Sequence, residues 1–278
     1  MKKILILPFS ISNSVPDRNY LVEGILEELI DLATETHNYS CSGRSISLYF
    51  NENPTTGKLL KEEFNIDLII EGSIRLKNER FQLTGRLIQT SNDQIIQTYK
   101  ATIELENWVN ELPNLVHQLL NLKNQSQSAP SIAKAKELYL KGLYHWNRFS
   151  SEELKKAIPY FKQAIQTDSS YAKAHAGLAD TYSVQAIMGY ENPIKYFKLA
   201  RQSVEKALQL DDKQSDSYVC AGMINIFHEL NLNQANANFD SALALNPSNA
   251  KANHFHAFLS VFKGDLKTAE KFALAALK

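Results

Sequence analysis

Cysteine is nearly missing from this 278-residue chain: Cys41 and Cys220 are the only two, far apart in sequence. That excludes a disulfide-stapled scaffold and, without a C-x-x-C spacing, leaves the redox compartment open. An excess of one charge sign is missing too. Lys+Arg is 30 and Asp+Glu is 30, a formal net charge of zero. A chain that holds nucleic acid by bulk electrostatics carries a basic excess, so no direct nucleic-acid binding is expected of this segment. No apolar run approaches the roughly 18 residues of a membrane span. Met1-Lys2-Lys3 and the apolar Ile4–Phe9 have the outline of a signal peptide, but the stretch is short and lacks a small-residue cleavage site. It is expected to be a buried first strand. The compartment stays open, leaning to the cytoplasm, and the chain is expected to be a piece of something longer.

What is there is ordinary globular material. Hydrophobic residues make up 44% and charged residues 22%, which argues against bulk disorder. The length suits two domains, or one domain and a repeat array. The character changes near residue 125. Asn121 to Ser131 is polar, aperiodic and closed by Pro130, so residues 123–131 read as a linker between a mixed domain at 1–122 and an all-helical one at 132–278.

The first domain reads as β-α-β-α-β-β-β-α. Lys3–Ser10 is a continuous apolar strand of the kind buried on both faces. Tyr20–Thr36 carries Leu21, Ile25, Leu29 and Leu32 at helical spacing. Ser40–Phe50 is strand-like, with a break expected at Gly43. Thr55–Phe64 is a short helix with Thr55 or Thr56 as N-cap. Leu68–Leu76, Phe81–Gln89 and Ile95–Leu105 form a meander, joined by turn sequences at 77–80 and 90–93. Trp108–Leu122 closes the unit as an amphipathic helix. The expected result is an α/β sandwich with helices on one or both faces of a mixed sheet, within an α+β chain.

The second domain repeats. Ala157, Ala200, Ala235 and Ala269 are each followed four residues later by Phe161, Val204, Phe239 and Ala273. Three further on stand Ala164, Ala207, Ala242 and Ala276. The spacings are 43, 35 and 34 residues, and a period near 34 with A-x3-F-x2-A is the tetratricopeptide signature. Gly142, Ala179, Gly222 and Ala257 stand where a small residue lets paired helices approach. One pair cannot bury its apolar face alone, so this pattern predicts a superhelix of about four stacked pairs. Asp168, Asp212 and Pro247 fall near the breaks between repeats. Extra residues, about three at Arg148–Glu152 and about nine at Met188–Phe197, are expected in the turns within a pair. The array stops at Ala276-Leu277-Lys278 without a polar cap, so a further repeat or a packing partner is expected there.

Catalytic and metal chemistry is not expected. Gly57-Lys58 lacks the other residues of a phosphate loop: Glu52 stands at the first glycine and Leu59 after the lysine. His254 and His256 are two apart on a helix and face different sides, so one should pack and one be exposed. Glu71-Gly72-Ser73 lacks a nucleophile elbow; Gly72 is expected to permit a close backbone approach. Cys220 is expected to be buried and inert, and Tyr144 and Trp146 to pack between helices. No cofactor is implied.

The first domain resembles the TolB-type amino-terminal domain, related to the flagellar FlgO domain. The resemblance rests on Ile6-Leu7-Pro8-Phe9, on Val22-Glu23-Gly24-Ile25-Leu26-Glu27-Glu28-Leu29, on Ile69-Ile70-Glu71-Gly72-Ser73-Ile74-Arg75, and on Thr84-Gly85-Arg86-Leu87-Ile88. It departs at Ile95-Ile96-Gln97-Thr98-Tyr99, which keeps only the tyrosine of an aromatic segment common in that family. Followed by Tyr139-Leu140-Lys141-Gly142-Leu143-Tyr144-His145-Trp146-Asn147, the whole resembles the output-distal half of CadC-like or AraC-type transcriptional regulators and of class III adenylate cyclases. The resemblance implies a sensory or interaction region of a bacterial signalling regulator, with the effector domain elsewhere. An accessory region of a nucleotide cyclase, or a free-standing envelope or assembly adaptor, are the alternatives.

Resemblance to tetratricopeptide proteins implies a peptide groove lined by the first helix of each pair. Projecting the period places Tyr139, Leu143 and Trp146 there in the first repeat and Lys173, Ala176, Asp180 and Ser183 in the second. Asp216, Val219, Met223 and Ile226 follow in the third, then Lys251, His254, Phe258 and Val261 in the fourth. Chaperone-binding members clamp a carboxylate with Lys and Asn four residues apart. The matching pairs here, Tyr139/Leu143, Ala176/Asp180, Val219/Met223 and His254/Phe258, do not fit. A mostly apolar groove suits an amphipathic helix of a protein or peptide partner, or a second copy of the chain.

Overall fold

In the computed structural model, which describes residues 2–12, 19–34, 36, 39–77, 80–104, 107–122 and 130–277, the first apolar run makes two strands instead of one. These are β1 (Lys2–Ile6) and β2 (Ser10–Ser12). Both run parallel to β4 (Leu68–Lys77). Ile6 faces Ile70 but Ser10 faces Ser73, so the first run carries one extra residue between them. Pro8 sits in that gap, where its missing N–H costs no ladder bond. Phe9 is turned inward and its ring lies on Gly72. A Cβ at position 72 would stand 2.3 Å from the ring and 2.4 Å from the Thr84 carbonyl oxygen. Gly72 therefore serves close approach, as its place in a strand suggests.

The chain divides into two compact units, Met1–Ala133 and Lys134–Lys278. The sheet of the first has the order β3-β1-β4-β5-β6, with β2 beside β4. β3 (Tyr39–Cys41), β1 and β4 are parallel; β4, β5 (Arg80–Gln89) and β6 (Gln94–Glu104) form the expected antiparallel meander. Helices cover both faces. On one, α1 (Asn19–Thr34) and α4 (Trp108–Leu119) pack together, and Leu115 and Leu119 rest on Gly85. On the other, Leu5 and Ile69 pack with Phe50 and Leu60.

The expected strand over Ser40–Phe50 is corrected. It ends at Cys41, and after Gly43 comes a helix, α2 (Arg44–Glu52). A short run such as Ser45-Ile46-Ser47-Leu48-Tyr49-Phe50 fits either period, and tertiary contacts decide. A helix puts Ile46 and Phe50 on one side, against the sheet. It also aims Arg44 at α1, where its guanidinium meets Glu23 at 2.9 Å and Glu27 at 2.8 Å. The next helix, α3 (Gly57–Phe64), starts at Thr56, whose hydroxyl accepts from the Leu59 N–H. Gly57 leaves room for the β5–β6 turn, since a Cβ there would meet Asp93 and the Thr90 carbonyl. The element order is thus β-β-α-β-α-α-β-β-β-α.

Residues 123–129 of the expected linker lie outside the described residues. α5 (Pro130–Trp146) begins at Pro130, which suits a first helical position. Then follow α6 (Ser151–Thr167), α7 (Ala172–Ile187), α8 (Pro193–Leu210), α9 (Ser215–Phe227), α10 (Leu232–Leu245), α11 (Ala250–Phe262) and α12 (Leu266–Ala276). They pair as α5/α6, α7/α8, α9/α10 and α11/α12, the arrangement of tetratricopeptide repeats.

The recurring residues explain the stacking. Ala157, Ala164, Ala200, Ala207, Ala235 and Ala242 are fully buried. The Phe161 ring fills the space left by Gly142 and Gly177, and Phe239 that left by Gly222. The second helix of each pair is capped by a side chain accepting from the N–H three residues on. Ser150, Asn192, Asn231 and Asp265 do this. Between pairs, Asp168, Asp211 and Asn246 each accept from the N–H two residues on, fixing the turn into the next repeat. The extra residues of the second repeat are not all in its turn, which is only Met188–Asn192. They lengthen the helices: α7 has 16 residues and α8 has 18, against 13 and 14 in the next pair.

Candidate protein-interaction surface

First helices of successive pairs touch one another, α7 with α9 and α9 with α11. They bring together residues far apart in sequence. Lys251, on the first turn of α11, donates to Asp180 Oδ2 of α7 at 2.8 Å, across 71 residues. Its ammonium is also 3.9 Å from Asp216 Oδ1 of α9 and 4.9 Å from the centre of the Trp146 ring of α5. One cation therefore links all four repeats. Asn249, which caps α11, adds a second tie: its amide donates to Asp216 Oδ1 at 2.8 Å and to Ser215 Oγ at 2.9 Å.

The electrostatics follow from burial. The Asp180 side chain is 8% exposed, that of Lys251 36% and that of Asp216 52%. Burial raises the Asp180 carboxyl above its ordinary pKa, with Lys251 opposing. Burial also works against the Lys251 charge, but Asp180 and Asp216 outweigh it and hold its pKa well above the lysine range. An ammonium held by two carboxylates and an indole face is stabilised by charge and by cation–π attraction together.

The structure sorts the fifteen residues projected onto this surface, with Ala176 and Val219 buried among them. Asp180, Ser183, Met223 and Ile226 are buried and shape the surface from beneath. Tyr139, Leu143 and Trp146 are half-buried against the packed core around Phe161; Tyr139 stands edge-on to Tyr171 at 5.6 Å. Lys173, Lys251 and Phe258 are half-buried, and Asp216 and His254 are exposed. Phe258 packs on Phe227 at 5.5 Å and on Phe262 at 4.8 Å, while Val261 and Phe262 are exposed. Asn249 and Ser215 escaped the projection. Asn249 could have been found as the cap of α11, because Asn immediately before a helical run is a strong N-cap signal. The Lys251–Asp180 contact had no such signal.

Groups singled out for chemistry fall into packing roles. His256 is buried, contacts Asp240 Oδ1 at 3.1 Å and stacks on Phe272, while His254 is exposed. Among the described residues no cluster of His, Cys, Asp and Glu could hold a metal ion. Cys220 is buried, and burial pushes its thiol well above the usual pKa; that of Cys41 is pushed up to about 11. Neither is a ready nucleophile. Tyr144 carries the Arg148 guanidinium 3.4 Å above its ring. Among the described residues no helix is long and apolar enough to cross a membrane.

No protein-family model matches the chain, and no curated protein matches it. Solved structures do. TTC0263, a tetratricopeptide protein of Thermus thermophilus, is 14% identical over 62% of this chain and 81% of its own, with a TM-score of 0.45. The tetratricopeptide domain of Arabidopsis OM64 is 20% identical over 48% of this chain and 98% of its own, with a TM-score of 0.39. The second such domain of human RPAP3, solved with the HSP70 peptide SGPTIEEVD, is 20% identical over 51% and 94%, with a TM-score of 0.34. At these identities the likeness is one of fold.

Proposed function

We propose that this chain is a non-enzymatic protein-interaction region of a bacterial signalling or transcriptional regulator, and that its repeats dock a protein partner. One observation carries the reading. The first helices gather exposed Asp216 and His254 with half-buried Phe258 and Lys251, and Val261 and Phe262 stand exposed at the end of α11. Apolar side chains bordered by a few charges suit the apolar face of an amphipathic helix. The Lys251 linkage favours a preformed surface, which lowers the ordering cost of binding. The reading of the first unit as a TolB-type sensing or docking domain rests on the resemblance of its four stretches, two of which meet where Phe9 lies on Gly72.

The test is capture from the source cell with the full chain, comparing the wild type with Phe262→Asp and with Val261→Asp. Both positions are exposed, so folding should survive. Partners held by the wild type and lost by both variants are the expected outcome. A partner set unchanged by either substitution would refute docking on this surface.

A further inference from the structure

β6 is the long edge strand of the first unit's sheet. Among the described residues it pairs with β5 alone and spans eleven residues. On its outer side every second residue turns its N–H and C=O away from the sheet, a template for another strand. The strand is irregular at one end only. Ile95 faces Ile88 and Gln97 faces Leu87, which leaves Ile96 as a bulge. From Gln97 to Glu104 the ladder is unbroken. Within it Thr98, Lys100, Thr102 and Glu104 share one face and are exposed. On the other face Tyr99 is buried, and Ala101 and Ile103 are half-buried.

We propose that β6 pairs antiparallel with β6 of a second copy of this chain, in a register centred on Ala101, so that the sheet continues through a two-fold axis. Residues opposite each other in such a pair must share a face, so the axis passes through a residue. Four centres are available. Tyr99 is limited by the Ile96 bulge to Gln97–Ala101, and Thr102 by the end of the strand to Lys100–Glu104. Lys100 as centre opposes two ammonium groups. Ala101 as centre uses Thr98–Glu104 on both copies with no like charges opposed. Lys100 then faces Thr102 of the second copy, Tyr99 faces Ile103, and small Ala101 faces itself. The diagonal neighbours of Lys100 are Glu104 of the second copy, a contact made twice over, and Lys100 of the second copy, made once, so attractions outnumber the repulsion even with Glu104 also held by Arg80 at 2.8 Å. Seven paired residues make a small contact, so the dimer is weak, on the order of micromolar. This association uses the first unit and does not depend on the repeat surface.

The test is sedimentation equilibrium of the full chain over a wide concentration range, combined with hydrogen exchange. A monomer–dimer equilibrium is expected, with every second amide of residues 98–104 slowing as concentration rises. Thr102→Lys sets a second ammonium opposite Lys100 on both sides of the Ala101 centre and should weaken dimerisation about tenfold. Thr102→Glu sets a carboxylate there and should tighten it. Thr102 is exposed, so circular dichroism should be unchanged in both. A monomer at every concentration overturns the proposal and leaves the edge to a foreign strand. So does a dimer indifferent to both substitutions.

Discussion

Both units seat a phenylalanine ring on glycine, but to different ends. At the sheet, Phe9 on Gly72 is a single contact between residues 63 positions apart, and the glycine also faces the Thr84 carbonyl oxygen. In the repeats, Phe161 on Gly142 and Gly177, and Phe239 on Gly222, are copies of one short-range arrangement, and the atoms met there belong to the rings alone. A sheet glycine is therefore hemmed in by side chain and backbone, whereas the nearest atoms to a helical one are those of a ring. The sheet holds one fixed registration; the repeats hold a motif that is used again with variations such as Val204.

The comparison can be broken first at the ring itself. Phe161→Ala removes a fully buried ring shared by two repeats and should cost about 3–5 kcal/mol, read by urea denaturation of the helical unit. A loss below about 1 kcal/mol would mean that neighbouring repeats carry the array without it.

The Lys251 linkage comes next. Lys251→Met strands the buried Asp180 carboxylate, and with allowance for the lysine's partial exposure it should cost about 2–3 kcal/mol. Adding Asp180→Asn should recover part of that loss, because the stranded charge is gone. A double variant as unstable as the sum of the singles would show that the pair is not coupled.

The glycines sharpen the contrast directly. Gly72→Ala should cost about 1–3 kcal/mol by overpacking. Gly142→Ala should cost about 1 kcal/mol less, since alanine is the better helix former. Equal losses in thermal melts would erase the distinction drawn between sheet and helix.

The smallest effect concerns pH. Partial burial pushes the Asp67 pKa up, but the Lys61 ammonium and the Lys3 backbone N–H, at 2.8 Å, outweigh it and hold the carboxyl below its usual value. A depressed carboxyl stabilises above its unfolded pKa, near 3.8, and that stability is lost as pH falls through the lower folded value. Asp67→Asn should cost under about 1 kcal/mol near neutrality and flatten the acid side of the stability profile. An unaltered profile would remove Asp67 from the account.

Legibility differed between the units for the same reason as their glycines. Repetition let the array be read four times over, so Phe161, Phe239 and the buried alanines were placed by period alone. The meander was legible because each strand pairs with its neighbour through a short turn. α2 was misread because Ile46 and Phe50 satisfy both a strand and a helix until the sheet and Glu23 and Glu27 are in place. The fifteen projected surface residues were placed by period too, but burial divided them, and no local pattern tells Asp180, tied and buried, from Asp216, exposed.

The sequence by itself determined what depends on near neighbours: helix spacing, caps, turns and the four-fold recurrence of small residues. Tertiary structure alone decided what depends on residues meeting across many tens of positions. It set Phe9 over Gly72, turned alanine-rich helices into a single stack, and brought Lys251 to Asp180. The physical reason is that local preferences act within a few residues of backbone, whereas packing and burial are settled only when the whole chain has chosen which surfaces to hide from water.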